Sequence, residues 1–288
     1  MPSTRTASSA YAPAMSAETR RWVEAGLAQR PRGFLTDIDG TLSAVAPTPD
    51  QARLYRGIRP LLRQCLVEFD LVAAISGRPA LDARRLVGIP QMTYVGNHGM
   101  ELLPPGERSP HITPDVRAYQ SAIADALHEA RKRLDGRVGE LLFENKGATA
   151  SIHYRLASDP EAARAAIHRA LDPFAERHHL RVTEGRMVIE IRPPVDRDKG
   201  TSIRAIVRQH ALACALYLGD DRTDEDAFRA LHELRASGEC VGVAVAVSHA
   251  EAPASLLASA DITLASIAEV PRFIRWLLQM LKAAAPMP

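Results

Sequence analysis

Apolar positions along this 288-residue chain follow two different periods. A continuously apolar run spans 71–75, and other short, mostly apolar runs lead into Asp37, span 93–95, and recur at 215–218, 241–247 and 262–264. Each ends in polar residues or glycine, which predicts strands buried on both faces. Between them, apolar residues at helical spacing predict helices over 17–29 (Trp22, Val23, Leu27), 51–67, 81–87 and 199–210, another beginning at Glu225, and a last one over 267–282. Pro31 and Gly33 stop the first helix and deliver the chain into the first strand. Strands alternating with helices predict right-handed βαβ crossovers and a parallel sheet, an α/β core.

After Pro104 the pattern changes. A helix is expected over 115–134, then strands at 140–144 and 148–154 joined at Lys146-Gly147. A second helix over 160–177, capped by Ser158 or Asp159, precedes a hairpin of 180–182 and 187–191 turning at Glu184-Gly185. One helix and two strands, repeated once, make an antiparallel α+β unit. Pro193-Pro194 marks the return to the parallel pattern. The expected order is a disordered tail (1–16), a first core segment (17–103), an inserted cap (104–192) and a second core segment (193–288).

Composition narrows the function classes. Lys plus Arg number 36 against 34 Asp plus Glu, a formal +2, too balanced for a nucleic-acid footprint. No apolar run approaches the ~20 residues of a membrane span, and the Ser/Ala/Thr/Pro-rich start lacks the apolar stretch of a secretory signal. Cys65, Cys214 and Cys240 are far apart in apolar surroundings, without a metal-type spacing, and read as buried free thiols of a cytoplasmic protein. A small anionic substrate needs only local positive charge, and a monomer or weak homodimer is expected.

The candidate chemistry sits at the ends of the predicted strands, where open α/β sheets bind ligands. Asp37 and Asp39 close the first strand, Ser76-Gly77-Arg78 the second, Gly96-Asn97-His98-Gly99 the third, and Gly219-Asp220-Asp221 with Asp224 the fourth. Two carboxylates at one strand end are costly unless a cation neutralises them. Either can be a metal ligand, and different environments can separate a nucleophile from a proton donor. With Asp220, Asp221 and Asp224 they form an all-oxygen set suited to Mg²⁺, and Lys199 and Arg78 are candidates to neutralise a phosphate. Any one of these motifs is compatible with a capped helix or a turn. Four of them in one order, each at a strand end or helix start, point to a site.

In these motifs the chain resembles the haloacid-dehalogenase-like phosphatases: DIDGT (37–41), Ser76 in SGR, Lys199 in DKG and GDDRTDED (219–226). The resemblance implies a Rossmann-like core with a parallel sheet flanked by helices. It further implies that Asp37 attacks phosphorus, that Asp39 protonates the leaving oxygen and later activates water, and that Ser76 and Lys199 hold the phosphoryl oxygens. Mg²⁺ would be held by Asp37, the backbone carbonyl of Asp39, and Asp220, with Asp224 also a ligand and Thr41 and Asp221 in support. The wider set DIDGTLSAVAPTPDQA, SGR, GNHGMEL, ENKGATASIHYR, GRMVIEIRP and GDDRTDED is similar to the trehalose-6-phosphate phosphatase family, whose cap lies between the second and third motifs. That likeness implies hydrolysis of trehalose 6-phosphate, the last step of trehalose biosynthesis. Glu144, Lys146 and Glu190 match its sugar-binding positions, and Gly77, Arg78, Asn97 and His98 line the expected mouth. Two alternatives stay open: a phosphatase of another phosphosugar, such as sucrose phosphate or glucosylglycerol phosphate, and a non-catalytic sugar-phosphate-binding module.

Overall fold

The computed structural model describes residues 11–46, 48–136, 138–185 and 187–284. In chain order the elements are α1 (Ala17–Leu27), β1 (Arg32–Thr36), α2 (Ile58–Glu68), β2 (Leu71–Ile75), α3 (Ala80–Val87), β3 (Thr93–Gly96), β4 (Glu101–Leu103) and β5 (His111–Ile112). Then follow α4 (Pro114–Arg117), α5 (Gln120–Leu134), β6 (Leu142–Asn145), β7 (Ala150–His153), α6 (Pro160–Arg177), β8 (Arg181–Gly185) and β9 (Val188–Arg192). The chain closes with α7 (Lys199–Gln209), β10 (Cys214–Gly219), α8 (Asp224–Ala236), β11 (Val241–Val247), α9 (Ala254–Ser259), β12 (Ile262–Leu264) and α10 (Val270–Ala284).

An eight-stranded sheet has the order β12-β11-β10-β1-β2-β3-β4-β5, and a separate four-stranded sheet the order β6-β7-β9-β8. The pairs β1–β10, β10–β11 and β11–β12 are parallel. Every residue of β1, β2 and β10 is buried, which explains why these strands read as unbroken apolar runs rather than alternating ones. The sheet is mostly parallel, as expected, with an antiparallel edge. Beyond β3, the strands β4 and β5 run antiparallel. At three and two residues they are too short to carry a periodic signal.

By packing, the described residues fall into two compact units: those of 1–45, 52–73 and 203–288, and those of 46–51 and 74–202. In the second, β6, β7, β9 and β8 form an antiparallel sheet on which α5 and α6 lie, like the cap of this fold class. Its core is Ile123, Leu127, Ile152, Ile167, Leu171, Ile189 and Ile191 with their small neighbours.

Three expectations are corrected in detail. The helix expected over 51–67 starts only at Ile58, because Leu54 bridges Ser43 in extended conformation and Gly57 turns the chain at φ 86°. The helix expected over 115–134 is interrupted at Ala118 and Tyr119, where Tyr119 packs on the α5/α6 core. Glu184 and Gly185 are ladder residues of β8, paired with Ile189 and Val188, rather than the hairpin turn. A Cβ on Gly185 would meet Val188 Cγ1 at 2.8 Å, so the glycine there serves close cross-strand approach. Of the expected tail, residues 1–10 lie outside the described residues, while Ser16 caps α1 through its hydroxyl, which accepts the Thr19 amide proton.

Candidate active site

In the first unit, β1 carries the chain to Asp37, which is 5% exposed. The Asp37 amide donates to Leu218 O at 2.8 Å, extending the β1–β10 ladder one residue past the strand. The neighbouring strand β10 ends at Gly219 and delivers Asp220, 2% exposed, and then Asp224 at the start of α8, fully buried. Asp37, Asp220 and Asp224 each offer a carboxylate oxygen, and these atoms lie within 4.8 Å of one another. Two glycines make room for this. A Cβ on Gly40, whose φ is 93°, would sit 1.9 Å from Asp220 Oδ2, and one on Gly219 would sit 2.4 Å from Asp224 Cγ.

The carboxylates of Asp220 and Asp224 are gripped from the side. Thr41 donates its hydroxyl to Asp220 Oδ1 at 2.7 Å. His249 Nε2 lies 3.2 Å from Asp220 Oδ2. The Tyr217 hydroxyl donates to Asp224 Oδ1 at 2.5 Å, and the amides of Asp220 and Asp221 donate to Asp224 Oδ2 at 2.9 and 3.0 Å. Asp224 therefore ties the loop that presents Asp220 as well as adding charge. Asp221 is exposed, and its Oδ1 accepts from the amide and hydroxyl of Thr223, shaping the turn into α8. The half-buried Asp39 is not among the three clustered carboxylates. Three buried acidic groups this close repel one another and call for a cation, and an all-oxygen set of this kind suits a hard divalent ion.

In the second unit, Ser76 is 1% exposed beyond the end of β2. Its amide donates to Val95 O at 2.9 Å, and its hydroxyl accepts the Arg78 amide at 3.2 Å. Arg78 Nη1 donates to Pro49 O at 2.9 Å and so holds the short helical turn Pro49–Gln51. Asn97 and His98 both take positive φ, 49° and 55°, a conformation Asn and His tolerate better than most residues. Asn97 Nδ2 donates to Lys146 O at 3.2 Å while its Oδ1 accepts the Thr149 hydroxyl at 2.8 Å, fastening the β6–β7 turn. Lys146 Nζ donates to Glu190 Oε1 at 3.0 Å and to Gly77 O at 3.3 Å. His98 Nε2 stands 3.5 Å from Glu190 Oε2. Gly77 permits that ring position, since a Cβ there would meet His98 Nε2 at 2.5 Å. Glu144 pairs with His153 Nε2 at 3.1 Å. Lys199, 3% exposed, opens α7, while Asp198 accepts the Thr201 amide at 2.6 Å.

The charges are tuned by these partners. Burial pushes the Glu190 carboxyl up, but Lys146 and His98 outweigh it and hold it well below its ordinary value. Glu144 is likewise lowered, burial being outweighed by His153, Lys146 and Arg78. Both are thereby favoured as anionic hydrogen-bond acceptors.

The model of the trehalose-phosphatase family matches residues 35–261. The chain belongs to the trehalose-phosphatase family. It is 37% identical over 231 residues to a trehalose-phosphate phosphatase of Mycobacterium avium, an alignment covering 78% of this chain and 56% of that protein. The chain thus spans about half the length of the curated relatives it matches. Among solved structures it resembles the C-terminal domain of the C. albicans trehalose-6-phosphate phosphatase, with TM-score 0.71 and 22% identity over 94% of this chain and 99% of that one. It also resembles the C-terminal domain of the Candida albicans trehalose synthase regulatory protein, with TM-score 0.65 and 15% identity over 91% and 98%. These likenesses show the fold alone.

The sequence did not single out His249 or Tyr217 as partners of the acidic residues, nor Thr149 as a partner of Asn97, nor Ser151, whose hydroxyl donates to Glu190 Oε1 at 3.3 Å. His249 lies 29 residues from Asp220 and Thr149 lies 52 from Asn97, so no local spacing marks either contact. For Tyr217 a signal existed: a tyrosine inside a fully apolar buried strand needs a partner for its hydroxyl.

Proposed function

We propose that this chain is a Mg²⁺-dependent phosphatase that hydrolyses trehalose 6-phosphate to trehalose and phosphate. The observation that carries the reading is the buried Asp37/Asp220/Asp224 cluster at the ends of β1 and β10, in a chain of the trehalose-phosphatase family. Asp37, Asp220 and Asp224, with the Asp39 backbone carbonyl, would hold the ion. When bound there, Mg²⁺ offsets the repulsion between an anionic carboxylate and an anionic phosphate.

The chain's own residues then divide the work. The Asp37 carboxylate attacks phosphorus as the bond from phosphorus to the sugar oxygen breaks, and Asp39 gives its proton to that oxygen. Asp39 next takes a proton from water, whose oxygen attacks the aspartyl-phosphate and releases phosphate and free Asp37. Splitting hydrolysis in this way replaces one difficult step by two easier ones. Ser76 and Lys199 are assigned to the phosphoryl oxygens, where positioning and charge neutralisation dominate the chemistry. Glu144, Lys146, Glu190 and His98 are assigned to the sugar hydroxyls, with 104–192 as the cap that selects the sugar and the rest as the catalytic core. Buried polar groups that bond hydroxyls reject ligands lacking them.

The three buried, free cysteines are compatible with a reducing compartment, and a cytoplasmic location belongs to the same proposal. A phosphate-release panel of trehalose 6-phosphate, sucrose phosphate, glucosylglycerol phosphate and monosaccharide phosphates, with and without Mg²⁺, tests it. Trehalose 6-phosphate turnover that needs Mg²⁺ and exceeds the others is expected. Equal turnover of several monosaccharide phosphates sinks the trehalose assignment.

A further inference from the structure

Resting on the metal reading above, we infer that His249 is a positioning residue for the cation: it fixes the carboxylate plane of Asp220. His249 lies on the loop after β11, and that loop is itself tied down. Ser248 donates its amide to Leu264 O at 2.8 Å, and the Ala252 amide closes the turn on His249 O at 3.1 Å. The Glu251 amide donates to His249 Nδ1 at 3.1 Å. That bond occupies the Nδ1 lone pair, so the ring proton sits on Nε2, 3.2 Å from Asp220 Oδ2.

The consequence is a carboxylate held at both oxygens by donors from different loops: Thr41 on Oδ1 and His249 on Oδ2. Two such bonds in different directions define the plane of the group, which one alone would leave to rotate. Ligand-orienting partners of this kind carry about 10–100-fold in metal affinity. The His249 side chain is 28% exposed on a surface loop, so truncating it removes the hydrogen bond without opening the core.

Calorimetric titration of the full chain with Mg²⁺ alone, no substrate present, tests the inference. His249→Ala is expected to weaken Mg²⁺ binding by about 10-fold or more, while the protein remains folded in the absence of metal. In His249→Gln the amide nitrogen can take the place of Nε2, and its affinity is expected to lie within about threefold of the parent. At saturating Mg²⁺ the KM for trehalose 6-phosphate should be the same in all three proteins. Mg²⁺ affinity unaltered in His249→Ala overturns the inference while leaving the phosphatase reading intact. Equal impairment of His249→Gln and His249→Ala overturns it as well, because a donor restored at the Nε2 position would then not recover the affinity. Failure of the parent chain to bind Mg²⁺ overturns both readings together.

Discussion

Gly40 and Asp220, 180 residues apart in the chain, occupy space that only a glycine can share: a Cβ on Gly40 would lie 1.9 Å from Asp220 Oδ2. The glycine of the Asp-x-Asp-Gly motif is therefore a cavity for a carboxylate. It also turns at φ 93°, which a side chain resists. Gly40→Ala is expected to destabilise the fold by about 1–3 kcal/mol from backbone strain alone. It should also displace Asp220 and abolish Mg²⁺ binding. Urea unfolding and Mg²⁺ calorimetry on the same protein check both.

Asp37→Asn keeps the size of the side chain and removes its nucleophilic charge. Phosphate release is expected to fall by roughly 10⁴-fold or more, while trehalose 6-phosphate still binds by calorimetry. Undiminished release would refute the covalent route.

The Lys146–Glu190 pair has side chains only 8% and 12% exposed. Lys146→Met strands the Glu190 charge and is expected to cost about 3–5 kcal/mol. Glu190→Gln added to it should return part of that loss. The pH dependence follows from the depressed Glu190 pKa. Its stabilisation is fully present above the ordinary glutamate value of 4.5 and is lost as pH falls from there through the lower folded value. Urea midpoints of the parent should therefore drop below pH 4.5 more steeply than those of Glu190→Gln.

Asn97 bonds both Lys146 O and the Thr149 hydroxyl from a backbone at φ 49°. Asn97→Ala leaves the buried Thr149 hydroxyl and the partly buried Lys146 carbonyl without those bonds and is expected to destabilise by about 1–3 kcal/mol. Loosening the turn that carries Lys146 should raise the KM for trehalose 6-phosphate more than it lowers kcat. Thermal melts and steady-state kinetics separate the two effects, and an unchanged KM would count against a sugar-binding role for Lys146.

Much of this was legible in the residues themselves. Strands β2 and β11 lie where their apolar stretches do, because strands buried on both faces have almost no polar position with which to blur their ends. The helix α6 spans 160–177 as expected, with Asp159 as its cap, because a side-chain cap and Pro at the first turn are local signals. Asp37, Asp220 and Asp224 could be named from motif and position at strand ends. The antiparallel edge β4–β5 could not, since pairing against β3 rather than intrinsic pattern makes those few residues strands.

What the sequence by itself determined is the alternation of buried strands and amphipathic helices and the types of residue at the strand ends, both set by local periodicity and by the chemistry of single side chains. Only the tertiary structure decided which partners those residues have: Thr41 and His249 on Asp220, Tyr217 on Asp224, Lys146 and His98 on Glu190. Most of these contacts join residues tens to hundreds of positions apart. Spacing along a chain says nothing about a hydrogen bond whose donor and acceptor are brought together by strand order and loop path.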